Sequence, residues 1–143
     1  MPVATDSRNK VFQISCVMAR EGDGPDEYDK YILSLGDPDE KIVGYDVIVY
    51  TYPTEAELLT GFTELVREEN PNIITGYNII GFDIPYMIAR AKNTFCLTDF
   101  SKQGFHKYAK AVEKTIKWSS SAYKNQEFQF LDAEGRVYVD LLP

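Results

Sequence analysis

The sequence predicts a mixed α/β fold, in which a sheet with both strand orientations is flanked by helices. Three observations lead to this prediction. Short runs rich in β-branched and aromatic residues recur along the chain, separated by turn-forming residues. A segment with apolar residues at helical spacing lies between two of these runs, which is typical of a strand–helix–strand unit with parallel strands. The chain has 143 residues, the size of one domain, and shows no internal repeat or linker.

The predicted strands fall into an early group and a late pair. The early strands cover residues 11–18, 31–35, 47–52 and 72–77. Stretches with glycine, proline and aspartate join the first three, so we expect short turns and antiparallel pairing among them. The third and fourth strands flank a helix and are expected to pair in parallel. Near the end, residues 128–131 and 137–142 predict a hairpin around a turn at residues 132–135.

Three helices are predicted. The first follows Thr54, which can cap it, and Glu57 three residues later completes a capping box. It should end at the Asn-Pro pair of residues 70–71, since proline disfavours a helical residue before it. A second helix starts at Asp83, which can act as its cap. A third, with a lysine-rich outer face, is predicted over residues 102–117.

Composition excludes several classes of protein. Apolar residues make up 44% of the chain and charged residues 26%, which is unlike a disordered chain. No apolar stretch is long enough to span a membrane, and the first residues do not resemble a secretory signal. Cys16 and Cys96 are far apart in sequence and His106 is the one histidine, so a zinc site built from thiolates or imidazoles is excluded.

The net charge of −7 makes the chain a poor non-specific ligand for nucleic acid, but the charge is unevenly placed. Residues 100–125 contain six lysines and one acidic residue. Either this segment faces an anionic partner, or it is a solvated helix face with its aromatic residues packed on the core.

The candidate functional residues lie in residues 72–91, NIITGYNIIGFDIPYMIARA. They predict a strand, a loop and a helix start, and ligands of open α/β sheets gather at the carboxyl ends of strands. There Asp83 can ligate a hard divalent cation, Asn78 can bond a sugar or base edge, and Phe82 can stack on a base. The alternative is that Asp83 only caps the helix and Phe82 only fills the core.

A dinucleotide-binding interpretation of this segment is rejected. Gly76, Asn78 and Gly81 have the spacing of the glycine fingerprint. However, asparagine replaces the middle glycine, which is the position that lets the backbone approach a pyrophosphate.

Residues 77–86, YNIIGFDIPY, resemble the second exonuclease motif of family B DNA polymerases, the group of eukaryotic replicative and large-DNA-virus enzymes. The flanking residues 70–74 also fit. Residues 11–14 resemble the strand after the first motif, and residues 135–142 resemble the strand before the third. Gly81 stands where the family often has asparagine.

This resemblance implies a ribonuclease-H-like fold and 3′–5′ proofreading. The family uses two Mg²⁺ ions held by four carboxylates, which drive phosphodiester hydrolysis. Asp83 matches the catalytic metal ligand of the second motif. Asn78 and Phe82 match residues that hold the single-stranded primer 3′ end, and Tyr77 beside them is a third candidate DNA contact. Asp140 does not match a family ligand.

The resemblance also implies that the chain is a partial exonuclease domain, spanning residues 1–143. The first motif, Asp-x-Glu on the first strand, and the third motif on a later helix have no equivalent here. We therefore expect an incomplete sheet with open edges and negligible nuclease activity from the chain alone. The polymerase palm, fingers and thumb are also expected outside it.

The partners implied are DNA, dNTPs, the remainder of the polymerase chain and a processivity factor, with no membrane and a location in the nucleus or at a viral replication site. Lys107 and Lys114 are candidate contacts to the DNA backbone. Two alternatives stay open: a non-catalytic nucleic-acid-binding or structural module of the same fold, and an unrelated α/β interaction domain. An upstream strand with Asp-x-Glu would favour the enzyme.

Overall fold

The computed structural model describes residues 3–39, 46–102, 112–118, 126–132 and 136–142. Their elements are, in order, β1 (Gln13–Met18), a 3₁₀ turn (Pro25–Glu27), β2 (Asp29–Leu35), β3 (Val47–Tyr52), α1 (Glu55–Glu69), β4 (Ile73–Gly76), a π-helical turn (Ile79–Asp83), α2 (Ile84–Asn93), α3 (Leu97–Phe100), β5 (Val112–Trp118), β6 (Gln126–Asp132) and β7 (Val137–Asp140). The predicted mixed α/β class is confirmed. None of the helices in these ranges is long and apolar enough to cross a bilayer.

The first three strands form one sheet in the order β1-β2-β3. β1 and β2 are antiparallel, with Ser15 opposite Ile32, as predicted. β2 and β3 are parallel, with Ile32 opposite Val49, so the antiparallel prediction is wrong for this pair. Residues 36–46 separate the two strands, and a connection of this length can return the chain to the start of β2.

The fourth strand belongs to a separate two-stranded sheet. β4 pairs in parallel with β7, placing Gly76 opposite Asp140. The predicted β3–β4 pair is therefore wrong among the described residues, as is the predicted hairpin of residues 128–131 with 137–142. Instead β6 pairs in antiparallel fashion with β5, and Asp132 ends β6 rather than lying in a turn. Local patterns located β4, β6 and β7, but pairing joins residues far apart in sequence.

The predicted helix over residues 102–117 is wrong over the part that the structure describes. Residues 112–118, VEKTIKW, form strand β5. Four of these seven residues are β-branched or aromatic, which favours a strand and outweighs the helical spacing of the apolar positions. Lys107 lies outside the described residues.

Helix α1 has the ends that the sequence predicts. The Thr54 hydroxyl accepts a hydrogen bond from the Glu57 amide at 3.2 Å. At the other end Asn70 adopts a left-handed conformation, with φ of 52°, and its amide donates to the Val66 carbonyl. This is a common way to end a helix, and asparagine tolerates that conformation better than most residues.

The core surrounds α1 on two sides. One cluster joins α1 to α2 and α3, and it consists of Leu59, Ile84, Ile88, Ala91, Cys96 and Phe100. The other joins α1 to β2, and it consists of Tyr31, Leu33, Leu58 and Leu65. Helix α1 therefore lies between the three-stranded sheet and α2, which fixes the position of α2 and of the turn before it.

Candidate functional site

The candidate site lies where β4 and β7 end. Both strands run in the same direction, and the pair Gly76–Asp140 closes their ladder. After Gly76 the chain reverses through Asn78, whose φ is 58°, and enters the π-helical turn that leads into α2. The predicted site segment therefore lies at the carboxyl edge of a parallel strand pair, which is where α/β folds collect ligands.

Asp83 is the last residue of the π-helical turn and is partly exposed to solvent. It has helical backbone angles and makes no side-chain capping hydrogen bond, so the interpretation that Asp83 only caps α2 is wrong. Partial burial raises the pKa of its carboxyl, and the negative charge of Asp140 adds to this effect. Its own backbone amide opposes both effects, but the net direction of the pKa is upward.

Asp140 is the residue that sequence analysis missed. Its Oδ1 accepts hydrogen bonds from the amides of Asn78 at 2.7 Å and Leu142 at 2.9 Å, and its Oδ2 accepts one from Ile80 at 2.9 Å. Partial burial raises the pKa of this carboxyl, but the three amides favour its ionised form, so the net direction is downward. The available signal was an aspartate ending an alternating strand, which does not reveal its distant partners.

The Asn78 side chain folds back over the turn. A Cβ atom added to Gly81 would overlap Asn78 Oδ1, so the glycine makes room for this amide. Gly81 thus has a packing role that the resemblance did not suggest. Tyr77, next to Asn78 in the chain, is 68% exposed.

Phe82 and Asp83 line a cavity of about 980 Å³. Every residue of β1 and of β4 also lines it, so the cavity adjoins the β1-β2-β3 sheet and the β4–β7 sheet. The Phe82 ring lies 5.5 Å from that of Tyr86, whose hydroxyl donates to the Asn9 carbonyl at 2.6 Å. Phe82 is thus supported by a second aromatic ring and remains accessible from the cavity.

The described residues do not complete a metal site. No group of three or more histidine, cysteine or acidic residues among them could hold an ion. Asp83 offers a carboxylate to the cavity, whereas both oxygens of Asp140 are engaged by backbone amides. Asp83 could therefore supply one ligand to a hard cation, and the other ligands would have to come from outside the described residues.

The lysine segment is only partly described. Lys114 lies in β5, where it is opposite Phe130 of β6. β6 lies next to α2 and the π-helical turn, so the β5–β6 pair borders the candidate site. The helical lysine face proposed from the sequence is not present over residues 112–117.

Comparison with known proteins decides the family. The model of the family B DNA polymerase exonuclease domain matches residues 1–143. The chain belongs to this family. It is 52% identical over 143 residues to the DNA polymerase 120R of Invertebrate iridescent virus 3, covering 100% of the chain and 12% of that protein.

Other relatives of this exonuclease-domain chain are also viral. It is 40% identical over 149 residues to the DNA polymerase 037L of Invertebrate iridescent virus 6, covering 99% of the chain and 12% of the relative. It is 36% identical over 100 residues to the DNA polymerase catalytic subunit of Epstein-Barr virus (strain B95-8), covering 70% of the chain and 10% of the relative. The chain thus spans about an eighth of the length of these two iridovirus relatives.

Proposed function

We propose that residues 1–143 are part of a 3′–5′ exonuclease domain within a viral replicative DNA polymerase, and that Asp83 is one of its catalytic, metal-holding carboxylates. The observation that carries the proposal is the position of Asp83. It lies at the carboxyl edge of the β4–β7 pair and on the wall of a cavity that also adjoins β1.

Two open sheet edges that lie beside the cavity support a partial domain. Among the described residues β1 pairs only with β2, and β4 pairs only with β7, yet both strands line the same cavity. A strand from the remainder of the polymerase would pair with both edges and join the two sheets into one ribonuclease-H-like sheet. The exposed side chains of Phe12, Val17 and Ile73 line this cavity, and an added strand would remove apolar surface from water.

Such a strand would run beside Asp83, so carboxylates on it could complete a site for two Mg²⁺ ions. Bound there, the ions would supply activation of water and stabilisation of charge on the phosphate. Asp83 would hold its share of that site. The Asn78 amide would bond the sugar or base of the terminal nucleotide, Phe82 would stack on its base, and Tyr77 would contact the strand beside them.

Other parts of the function are assigned to the rest of the polymerase. Binding of dNTPs and of a processivity factor would belong there, and the protein would act where viral DNA is copied, in the nucleus or at another replication site.

Lys107 and Lys114 would contact the DNA backbone. If they do, changing both to glutamate lowers the salt dependence of primer binding.

The chain alone should have negligible nuclease activity. Asp83 is one carboxylate, and one carboxylate does not hold two divalent ions against water. A purified chain that degraded primer 3′ ends in Mg²⁺, and lost this activity in Asp83→Ala, would contradict that expectation.

The proposal is tested in the full-length polymerase. Asp83→Ala should lower exonuclease activity on a labelled single-stranded oligonucleotide by more than the ~10²–10³-fold typical of losing one stabilising group. Primer extension with dNTPs should stay within about twofold of wild type, because those sites lie elsewhere. Asp37→Ala, an exposed aspartate after β2 that does not line the cavity, is the matched control and should leave both activities unchanged.

Two outcomes would contradict the proposal. Exonuclease activity that survives in Asp83→Ala would exclude a catalytic role for this residue. A wild-type polymerase without exonuclease activity, but whose binding to single-stranded primer ends weakens in Asn78→Ala, would instead favour the non-catalytic binding module.

A further inference from the structure

Asp140 occupies a special place beside the candidate site. It ends β7 directly opposite Gly76, and its carboxylate bonds the backbone of the turn that follows β4. Both of its oxygens accept hydrogen bonds from that turn, Oδ1 from the Asn78 amide and Oδ2 from the Ile80 amide. Oδ1 also accepts one from the Leu142 amide in the chain after β7.

The turn needs such a partner. Asn78 is in the left-handed region, which asparagine tolerates better than most residues but which still costs energy relative to glycine. Hydrogen bonds from amides to an ionised carboxylate are about twice as strong as those between neutral groups, so two of them can hold the turn in this shape. The Ile80 amide lies inside the π-helical turn that ends at Asp83, so a shift of this turn would also move Asp83.

We propose that Asp140 is a positioning residue of the exonuclease site, which holds the 78–80 turn so that Asn78 and the π-helical turn carrying Asp83 keep the geometry needed for hydrolysis. This inference rests on the proposed function. Asp140 acts through the backbone amides that bond both of its oxygens.

The test uses the full-length polymerase and the Asp140→Asn variant. Asparagine keeps the size of the side chain but offers one acceptor oxygen, so at least one of the turn amides loses its partner. We expect exonuclease kcat/KM to fall by about 10–100-fold, as for other groups that orient a site from behind. Primer extension should be unchanged, and assays are run well below each variant's own Tm.

Arg136→Met is the matched structural control. The Arg136 guanidinium donates to the Pro71 carbonyl at 2.6 Å, just before β7 and β4 begin, so this change removes a hydrogen bond that joins the same two strands at the end away from the turn. Arg136 does not line the cavity, so exonuclease activity should remain within about twofold of wild type even if the Tm falls. An equal loss of activity in Arg136→Met would mean that Asp140 only stabilises the strand pair, and would overturn the proposal.

The double variant of Asn78 and Asp140 tests the proposal more directly than the single variants do. If Asp140 works through the turn that presents Asn78, the Asn78→Ala and Asp140→Asn losses should not multiply in the double variant. Losses that multiply, or an Asp140→Asn variant within about twofold of wild type, would overturn the proposal. So would full rescue of Asp140→Asn by excess Mg²⁺, which would make Asp140 a metal ligand. Each of these results, combined with loss of activity in Asp83→Ala, would leave the proposed function standing without this inference.

Discussion

The buried ion pair between Glu55 and Arg90 gives a prediction whose magnitude follows from the structure. Both side chains are 3% exposed, and the guanidinium meets the carboxylate through two hydrogen bonds of 2.7 Å. Arg90 also donates to the carbonyls of Ala4 and Asp6, while Glu55 accepts from the Val11 amide. The pair thus ties α1 and α2 to the segment that leads into β1.

Arg90→Met should destabilise the chain strongly. Methionine fills much of the same volume but leaves the Glu55 carboxylate buried with the Val11 amide as its remaining bonded partner among those described. Breaking one side of a buried pair costs about 3–5 kcal/mol. With a urea m value of about 2 kcal/mol per molar, the midpoint of unfolding should fall by about 2 M. Urea titration followed by circular dichroism measures this shift.

A double variant separates the loss of the Glu55–Arg90 attraction from the cost of leaving the Glu55 carboxylate buried without its partner. In Glu55→Gln combined with Arg90→Met, no charge remains buried and the Gln oxygen can still accept from the Val11 amide. Stability should return to within about 2 kcal/mol of wild type, since buried pairs are often replaced by neutral groups at little cost. A loss of less than about 1 kcal/mol in the single variant, or a double variant as unstable as the single, would refute this account of the pair.

Three further predictions concern the site and its support. The pKa of Asp83 is raised in the folded state, so its ionisation opposes folding above about pH 4. Asp83→Asn should therefore stabilise the chain at about pH 7, and this gain in stability should disappear as the pH falls below about 4. Thermal unfolding scans at several pH values measure the difference. Gly81→Ala should displace the Asn78 amide and raise the exonuclease KM for single-stranded DNA in the full polymerase, with little change in Tm. Gly61→Ala should lower stability by about 1–3 kcal/mol in urea titrations, because its methyl group would overlap the Tyr52 ring and outweigh the gain in helix propensity.

Helix α1 and the site segment could be predicted because their determinants are local. The Thr54 cap, the apolar spacing of α1 and the stop at Asn70 all lie within one stretch of chain. The position of Asp83 after a strand and before a helix was equally local, and the structure places it at the expected strand end. Its roles in metal binding and catalysis stay predictions.

Strand pairing could not be predicted in the same way. The pairing of β4 with β7 joins residues more than sixty positions apart. Residues 128–131 lie much nearer to β7 in the sequence and also have the pattern of a strand, although they pair with β5 instead. The sequence therefore assigned residues 137–142 to the wrong partner. That error also hid Asp140, because its bonds to Asn78 and Ile80 exist only when β7 lies beside β4.

The two aspartates at this strand end have environments that divide their roles. Three backbone amides favour the ionised form of Asp140 and lower its pKa, and they also use both of its oxygens. Asp83 has no such capping bond, and partial burial together with the charge of Asp140 raises its pKa. A nearby cation would relieve the cost of ionising Asp83, whereas backbone amides already stabilise the charge of Asp140. This contrast favours Asp83 as the metal-holding carboxylate and Asp140 as its support.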